Sequence, residues 1–493
     1  MKPLRLAAAA LALTLAALAG AQTPTAEAGR STRHALIIGI GDYAAPDVPA
    51  LRGVALDIES ARRMAVAMDV PPTQITVLRD REASADGIRR AVSALGTRVM
   101  DGDRVFVYYS GHGTRWQDPV LKADGCVEGL LASDGQVLSN IEFGQRLAPL
   151  ARRADKMLVF YDACFAGGLA EAPLRTRSLL RQGDSVLTPK FSRAGAPEVC
   201  GQASNFRTRS LPAVMQQAQA LPQNVVQVGA SGSDEVSFDS SSAGGLATVA
   251  WRDCLLGQAQ DLDGSGAVTV EEVTRCAQSK LDLALAGQPG VSGQKMTLVG
   301  NARYVPAWPA SAKADAAGST GRATPPEILA ELYSQRDGGR RVTATLRKTE
   351  LKIGRDALQF EVTPARDGHL YVALAGSDGK SLYLLVPNDL ARDNRVRAGQ
   401  PLSLPGAGWE IVAGGPAGPE QLLVMVTDAP RDLSGLAAER AGPFMKTLLD
   451  EQGRSRLQAV LANGTPRPGC GKPGAPSCSD AFGAALLTVR SVD

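Results

Sequence analysis

Lys156–Gly168 reads KMLVFYDACFAGG. Met157 to Tyr161 form an apolar run without polar alternation, the pattern of a strand covered on both faces. Asp162 ends the run, Cys164 follows, and Gly167-Gly168 permit a sharp turn. In open α/β sheets ligands gather beyond the carboxyl ends of the strands, so this thiol stands where a site is expected. Upstream, Arg104–Tyr109 (RVFVYY) repeats the design and runs into Ser110-Gly111-His112-Gly113. Neighbouring strands that end this way would set an imidazole against a thiol. The chain has three histidines, His34, His112 and His369. His34 opens a strand and His369 follows a turn far along the chain, which leaves His112 as the candidate base.

YYSGHGT and YDACFAGG resemble the histidine and cysteine motifs of the caspase and metacaspase family of cysteine peptidases, at the 52-residue separation that the family shares. HALIIGIGDY, followed by LRGVALDIESARRM, resembles the family's first strand and the region after it. The resemblance covers roughly residues 33–303. It implies an α/β fold, an α/β/α sandwich around a mostly parallel sheet. It also implies hydrolysis of a protein or peptide substrate, with Cys164 as nucleophile and His112 as general base. A free thiol ionises near pH 8.5, so a base within reach is needed to activate it. The sequence offers no clear Asn or Asp to orient that base. By resemblance, the amides of Gly113 and Cys164 form the oxyanion hole. Asp162 stands where caspases proper carry glutamine and metacaspases an acid. Asp57 matches the family's second pocket acid and Ser110 a pocket hydroxyl, which implies cleavage after Arg or Lys. Val54 departs from the cysteine often found there. Asp57 can also be read simply as an acid at a helix N-terminus. Two other functions stay open: a catalytically silent caspase-fold scaffold, or an envelope-binding module carried by the C-terminal region.

A length of 493 residues argues for two or three domains. Residues 1–21 have the form of a signal peptide: Lys2 and Arg5, then apolar Leu6–Leu18, then Ala19-Gly20-Ala21. The apolar run is shorter than the roughly 20 residues of a membrane span, so an exported mature chain, periplasmic or secreted and without a transmembrane segment, is expected. The formal charge of +3 falls to +1 without Lys2 and Arg5. With no basic stripe interleaved with aromatics, nucleic acid is not an expected partner. Export favours disulfides. With Cys164 kept free, Cys126, Cys200, Cys254, Cys276, Cys470 and Cys478 remain. Proximity in sequence suggests Cys470 with Cys478 and Cys254 with Cys276, leaving Cys126 with Cys200. No Cys-x-x-Cys or Cys/His cluster points to zinc.

Along the chain, strands are expected at His34–Ile40, Ile75–Leu78, Asn224–Ala230 and Lys295–Val299, with helices at Leu56–Met68, Ser84–Leu95, Ile141–Leu150, Thr248–Gln258 and Val273–Leu285. Cys126–Leu138 reads as hairpin-like. Leu169–Pro222 has no sustained period and is rich in Arg, Ser, Gln and Pro. By resemblance it is a processing loop, and it offers Arg175, Arg177, Arg181, Lys190, Arg193, Arg207 and Arg209 to a basic-specific site. Asp261–Glu272 (DLDGSGAVTVEE) fits a calcium loop, with Asp261, Asp263, Ser265, the Ala267 carbonyl, Thr269 and Glu272 as ligands. Calcium is the one cofactor the pattern suggests, and the hydrolysis itself needs none. The same loop can serve merely as a helix N-cap. Residues 304–325 have linker composition. A smaller β-rich domain is expected over 326–493, with strands at Leu358–Val362, Gly368–Ala375, Ser381–Pro387, Leu422–Thr427 and Ala484–Val492 and a helix near Leu433–Leu461. It resembles an uncharacterised domain often appended to bacterial caspase-like proteins.

Overall fold

The computed structural model describes residues 32–118, 120, 126–164, 180–182, 185–192, 222–232, 235–286, 293–307, 323–436, 438–463 and 479–493. The expected leader, most of the 169–222 segment, most of the linker, the Cys126 side chain, and Cys200, Cys470 and Cys478 lie outside this description.

β1 (Arg33–Gly39), β2 (Ile75–Arg79), β3 (Arg104–Ser110), β7 (Lys156–Asp162), β10 (Val225–Gly229) and β13 (Thr297–Gly300) form one sheet in the order β13-β10-β7-β3-β1-β2. All pairs are parallel except β10 with β13. β1, β3 and β7 are buried along their whole length, which is why they read as unbroken apolar runs. Alternate residues feed two cores. Ala35, Ile37, Tyr108 and Phe160 pack with α1 (Val54–Ala67), α4 (Leu246–Asp253) and α5 (Val270–Leu285). Leu36, Ile38, Tyr109 and Tyr161 pack on the other face with α2 (Ala85–Arg98) and α3 (Asn140–Arg153). The fold is therefore an α/β/α sandwich.

Local signals set the helix starts. Ser84 accepts the Gly87 amide and Ser139 the Glu142 amide, while Thr269 and Glu272 close a capping box on α5. Beyond α4 the chain widens into a π turn, Cys254–Gln258, with Gly257 at φ 120°. The Cys254–Cys276 disulfide ties this turn to α5. A small antiparallel sheet follows β3: β4 (Gly113–Gln117), β5 (Cys126–Leu131) and β6 (Val137–Ser139).

Two expectations are corrected. Within the supposedly patternless 169–222 segment, β8 (Leu180–Gln182) and β9 (Ser185–Pro189) form a hairpin that pairs with β11 (Phe238–Ser240). Its ladder partner lies about fifty residues downstream, so no local period announces it. Around Leu433–Leu461 the one α-helix among the described residues is Glu451–Ala462, capped by Asp450, with a single 3-10 turn at Leu433–Gly435. Ala438–Ala441 and Phe444–Thr447 are strands joined at Gly442, whose φ of 62° a helix would not accept.

The C-terminal half stacks a three-stranded sheet on an eight-stranded one, with Val342, Phe360, Val362, Leu370, Val372 and Val424 between them. Helices Pro325–Ser334 and Glu451–Ala462 cover the outer face. This β-rich half sits against the amino-terminal edge of the parallel sheet, away from His112 and Cys164. Arg33 reaches Asp480 and Asn463, and Arg104 reaches Asn463 and the Ala462 carbonyl while holding Asp155. No described helix is long and apolar enough to cross a membrane.

Candidate active site

Ser110 and Asp162 pair across β3 and β7, so the chain leaves both strands at the same level. His112 and Cys164 lie two residues beyond these, both fully buried. The His112 Nε2 lies 2.7 Å from the Pro49 carbonyl. A carbonyl can only accept, so the ring proton is on Nε2. Nδ1 then carries a lone pair, and it is buried with no hydrogen-bond partner. The Tyr43 hydroxyl accepts the His112 amide at 2.7 Å, and the two rings lie 5.1 Å apart. The group that orients the His112 ring is thus a backbone carbonyl, which residue identities do not reveal. Burial pushes the His112 pKa down to about 4. It pushes the Cys164 thiol up to about 12, against the help of its bond to the Ser237 backbone. The thiol accepts the Ser237 amide at 2.7 Å and donates to the Ser237 carbonyl at 3.0 Å.

Beneath this pair lies a closed cluster of acids around one cation. Asp57 sits in the first turn of α1, but its carboxylate turns inward to accept from Ser110 Oγ at 2.7 Å and the Gly245 amide at 2.7 Å. Asp162 accepts from Ser237 Oγ at 2.7 Å and Thr248 Oγ1 at 2.6 Å. The cation is Lys190, which directly succeeds β9. Its Nζ donates to Asp57 and Asp162 at 2.8 Å each and to Ser110 at 2.9 Å. All three side chains of the ion cluster are fully buried. Burial disfavours the Lys190 ammonium, but Asp162 and Asp57 outweigh it and hold the group charged. Burial also raises Asp57 despite the pull of Lys190, with Asp162 adding to the rise. Asp239 on β11 is a third buried acid nearby; burial lifts it to about 6, opposed by Lys190.

The backbone of the same residue is held as specifically. The Lys190 carbonyl accepts the Gly113 amide at 2.9 Å and the Cys164 amide at 3.1 Å, and its own amide donates to the Ser237 carbonyl at 2.9 Å. Gly113 leaves no room for more: a Cβ there would fall 1.9 Å from the Cys164 carbonyl oxygen. The structure therefore brings together His112, Gly113, Cys164, Asp57, Ser110 and Asp162. Sequence reasoning missed Pro49, Ser237, Thr248, Gly245 and Asp239. It named Lys190 only as one basic residue among several. The five carry no motif; their contribution is a carbonyl, an amide, or a side chain delivered by β11, the residue before it, or α4.

The second expected site lies between the π turn and α5. Carboxylate oxygens of Asp261, Asp263 and Glu272 come within 4.8 Å of one another, and no other such acidic, His or Cys group occurs among the described residues. Asp261 folds the loop by accepting amides from Gly264, Ser265 and Gly266. Ser265 Oγ donates to the Ala267 carbonyl, and Glu272 accepts from Leu262, Thr269 N and Thr269 Oγ1. The set is hard and oxygen-only, of the kind calcium takes.

Residues 350–430 match a domain of unknown function (DUF4384), and residues 32–298 match the caspase domain. Metacaspase-6 of Arabidopsis thaliana is 28% identical over 192 residues, 36% of this chain and 50% of its own length. Metacaspase-3 of Trypanosoma cruzi is 27% identical over 175 residues, 32% and 48%. The chain thus spans about half the length of these curated relatives. The crystal structure of caspase-1 from Spodoptera frugiperda aligns with TM-score 0.35 and 12% identity, covering 56% of this chain and 89% of that one. The strand ends, the sheet order and a domain match through more than half of the sequence agree, and the chain belongs to the caspase-domain family.

Proposed function

We propose that the chain is a cysteine-type endopeptidase cutting after lysine or arginine, with Cys164 as nucleophile and His112 as its base. One observation carries the reading. Lys190 lies in the site as a substrate residue would, its ammonium on Asp57, Asp162 and Ser110 and its carbonyl oxygen on the Gly113 and Cys164 amides. Once the thiol turns from the Ser237 carbonyl to the unpartnered Nδ1, proton transfer from Cys164 to that nitrogen frees the sulfur to attack the Lys190 carbon. The charge that develops on oxygen meets two amides already in place. The imidazolium then protonates the departing nitrogen of Phe191. Water, deprotonated by the same imidazole, releases Lys190 as a carboxylate and restores the thiol. The bond offered within the chain itself is Lys190–Phe191, inside the expected processing segment. The Cys254–Cys276 disulfide supports an oxidising, exported setting.

The test is incubation of the purified chain beside Cys164→Ala and His112→Ala, then reducing gels and peptide mass mapping. Wild type should yield a fragment beginning at Phe191 and should hydrolyse lysyl or arginyl amides, while neither variant does either. Activity persisting in Cys164→Ala, or a wild type that prefers aspartyl peptides, would refute the reading. We also propose calcium as a ligand of Asp261, Asp263, Ser265, Ala267, Thr269 and Glu272, a reading supported by the convergence of three carboxylates in that loop.

A further inference from the structure

We infer that Ser185–Lys190 stays in the site as an inhibitor after the Lys190–Phe191 bond is cut, so that the cut alone does not open the site to other chains. This rests on the peptidase reading and concerns the state of the site once the first turnover is complete. Among the described residues, the contacts holding the segment are distributed unequally about the bond. On the Lys190 side, β9 pairs with β11 through Leu187 with Ser240, Thr188 with Asp239 and Pro189 with Phe238. Val186 adds two bonds to Ser241, one in each direction. Leu187 is 1% exposed, in the core that lies against the sheet. Lys190 contributes three ammonium bonds and two carbonyl bonds, and its own amide bonds to Ser237. On the Phe191 side, among the described residues, the hold is a bridge from Phe191 to Gly113 and the Ser192 amide on the Gly113 carbonyl.

Hydrolysis breaks only the carbon–nitrogen bond, adding hydroxyl to Lys190 and hydrogen to Phe191. None of the contacts on the Lys190 side crosses that bond. The new carboxylate keeps an oxygen facing the Gly113 and Cys164 amides. Departure of Lys190 would leave Asp57 and Asp162 buried side by side without a cation. A tethered product also competes at an effective concentration on the order of millimolar, far above a typical dilute substrate. Opening therefore requires that the β8–β9 hairpin leave β11, giving up the three β9–β11 pairs together with the Lys190 contacts.

The experiment uses the full chain after self-cutting has gone to completion, verified by the mass of the fragment that starts at Phe191. Cut wild type is compared with cut Leu187→Asp, in which a charge replaces the buried leucine of the segment. The inference expects at least a ~10-fold higher kcat/KM on a lysyl peptide amide for Leu187→Asp. It also expects competitive inhibition of that variant by the free-acid peptide Ser-Val-Leu-Thr-Pro-Lys. A second readout needs no variant: in cut wild type, Lys190 should resist a carboxypeptidase that removes C-terminal basic residues, and should be trimmed once the protein is denatured. Equal activity of the two cut proteins, or trimming of Lys190 at the denatured rate, overturns the inference and leaves the peptidase reading standing. A chain that hydrolyses lysyl amides but never cuts at Lys190–Phe191 overturns the inference alone; one that does neither overturns both.

Discussion

Every donor of the Lys190 ammonium is spent, on Asp57, Asp162 and Ser110, in a place that water does not reach. Removing one partner of a buried ion pair typically costs about 3–5 kcal/mol. Asp162→Ala should fall near the lower end, about 3 kcal/mol, because Asp57 still faces the cation. The same substitution should lower kcat/KM on lysyl peptides at least a hundredfold; denaturant titration and peptide assays measure the two effects separately. His112 makes a pH prediction of definite sign. Its pKa falls from 6.5 unfolded to about 4 folded. Between those values the unfolded chain binds a proton that the folded chain refuses, so stability is lost as pH drops. From pH 7.5 to 5 this amounts to about 2 kcal/mol. In His112→Asn that share of the acid loss should vanish from denaturant midpoints measured across the same range.

At the scale of elements, the site is built where strand ends come too close for side chains. Gly245, in the two-residue β12 strand (Gly244–Gly245), would place a Cβ 1.9 Å from Asp162 Oδ2 and 2.5 Å from Lys190 Nζ. Gly245→Ala should therefore block the Asp57–Asp162 pocket from within. The expected outcome is loss of labelling by a lysyl ketone directed at thiols, while far-UV dichroism stays unchanged. Retained labelling at the wild-type rate would show that the pocket yields. The β8–β9 hairpin illustrates how an element can escape sequence reading. It is three and five residues long, has no alternating pattern, and exists because β11 offers a free edge.

Across the whole molecule, the two halves share buried charge. Arg33 is 2% exposed and depends on Asp480 and Asn463 from the C-terminal half, while Ser479 Oγ donates to the Gly102 carbonyl. Parting the halves would strip Arg33 of its main counter-charge, so scanning calorimetry of the full chain should give one cooperative transition. Asp480→Ala should lower it by an amount equivalent to about 3 kcal/mol. Two separate transitions would contradict this coupling. The acidic loop touches the same seam: Gly266 packs against the backbone of Arg454 and Ser455, and Gln458 donates to the Ser265 carbonyl. Calcium bound there should raise the melting temperature of the full chain by mass action and lose its effect with chelator or in Glu272→Gln. Identical melting of both proteins with and without calcium would leave the loop as a helix cap.

The sequence by itself determined the sheet and the identity of its strand ends. Runs such as RVFVYY and KMLVFYD are apolar because both faces are covered, and their motifs marked His112, Cys164 and Asp162, as LRGVALD marked Asp57, without any contact being known. Capping residues Ser84, Ser139 and Thr269 likewise announce their helices locally. Only the tertiary structure decided which of the chain's many basic residues enters the acid pocket, and that the Pro49 carbonyl fixes the tautomer of His112. Those facts depend on approach between residues 28 to 133 positions apart, made through backbone atoms and side chains of ordinary type. Local propensity carries no record of such approaches, because the free edge of β11 and the two buried carboxylates exist only once the sheet has closed around them.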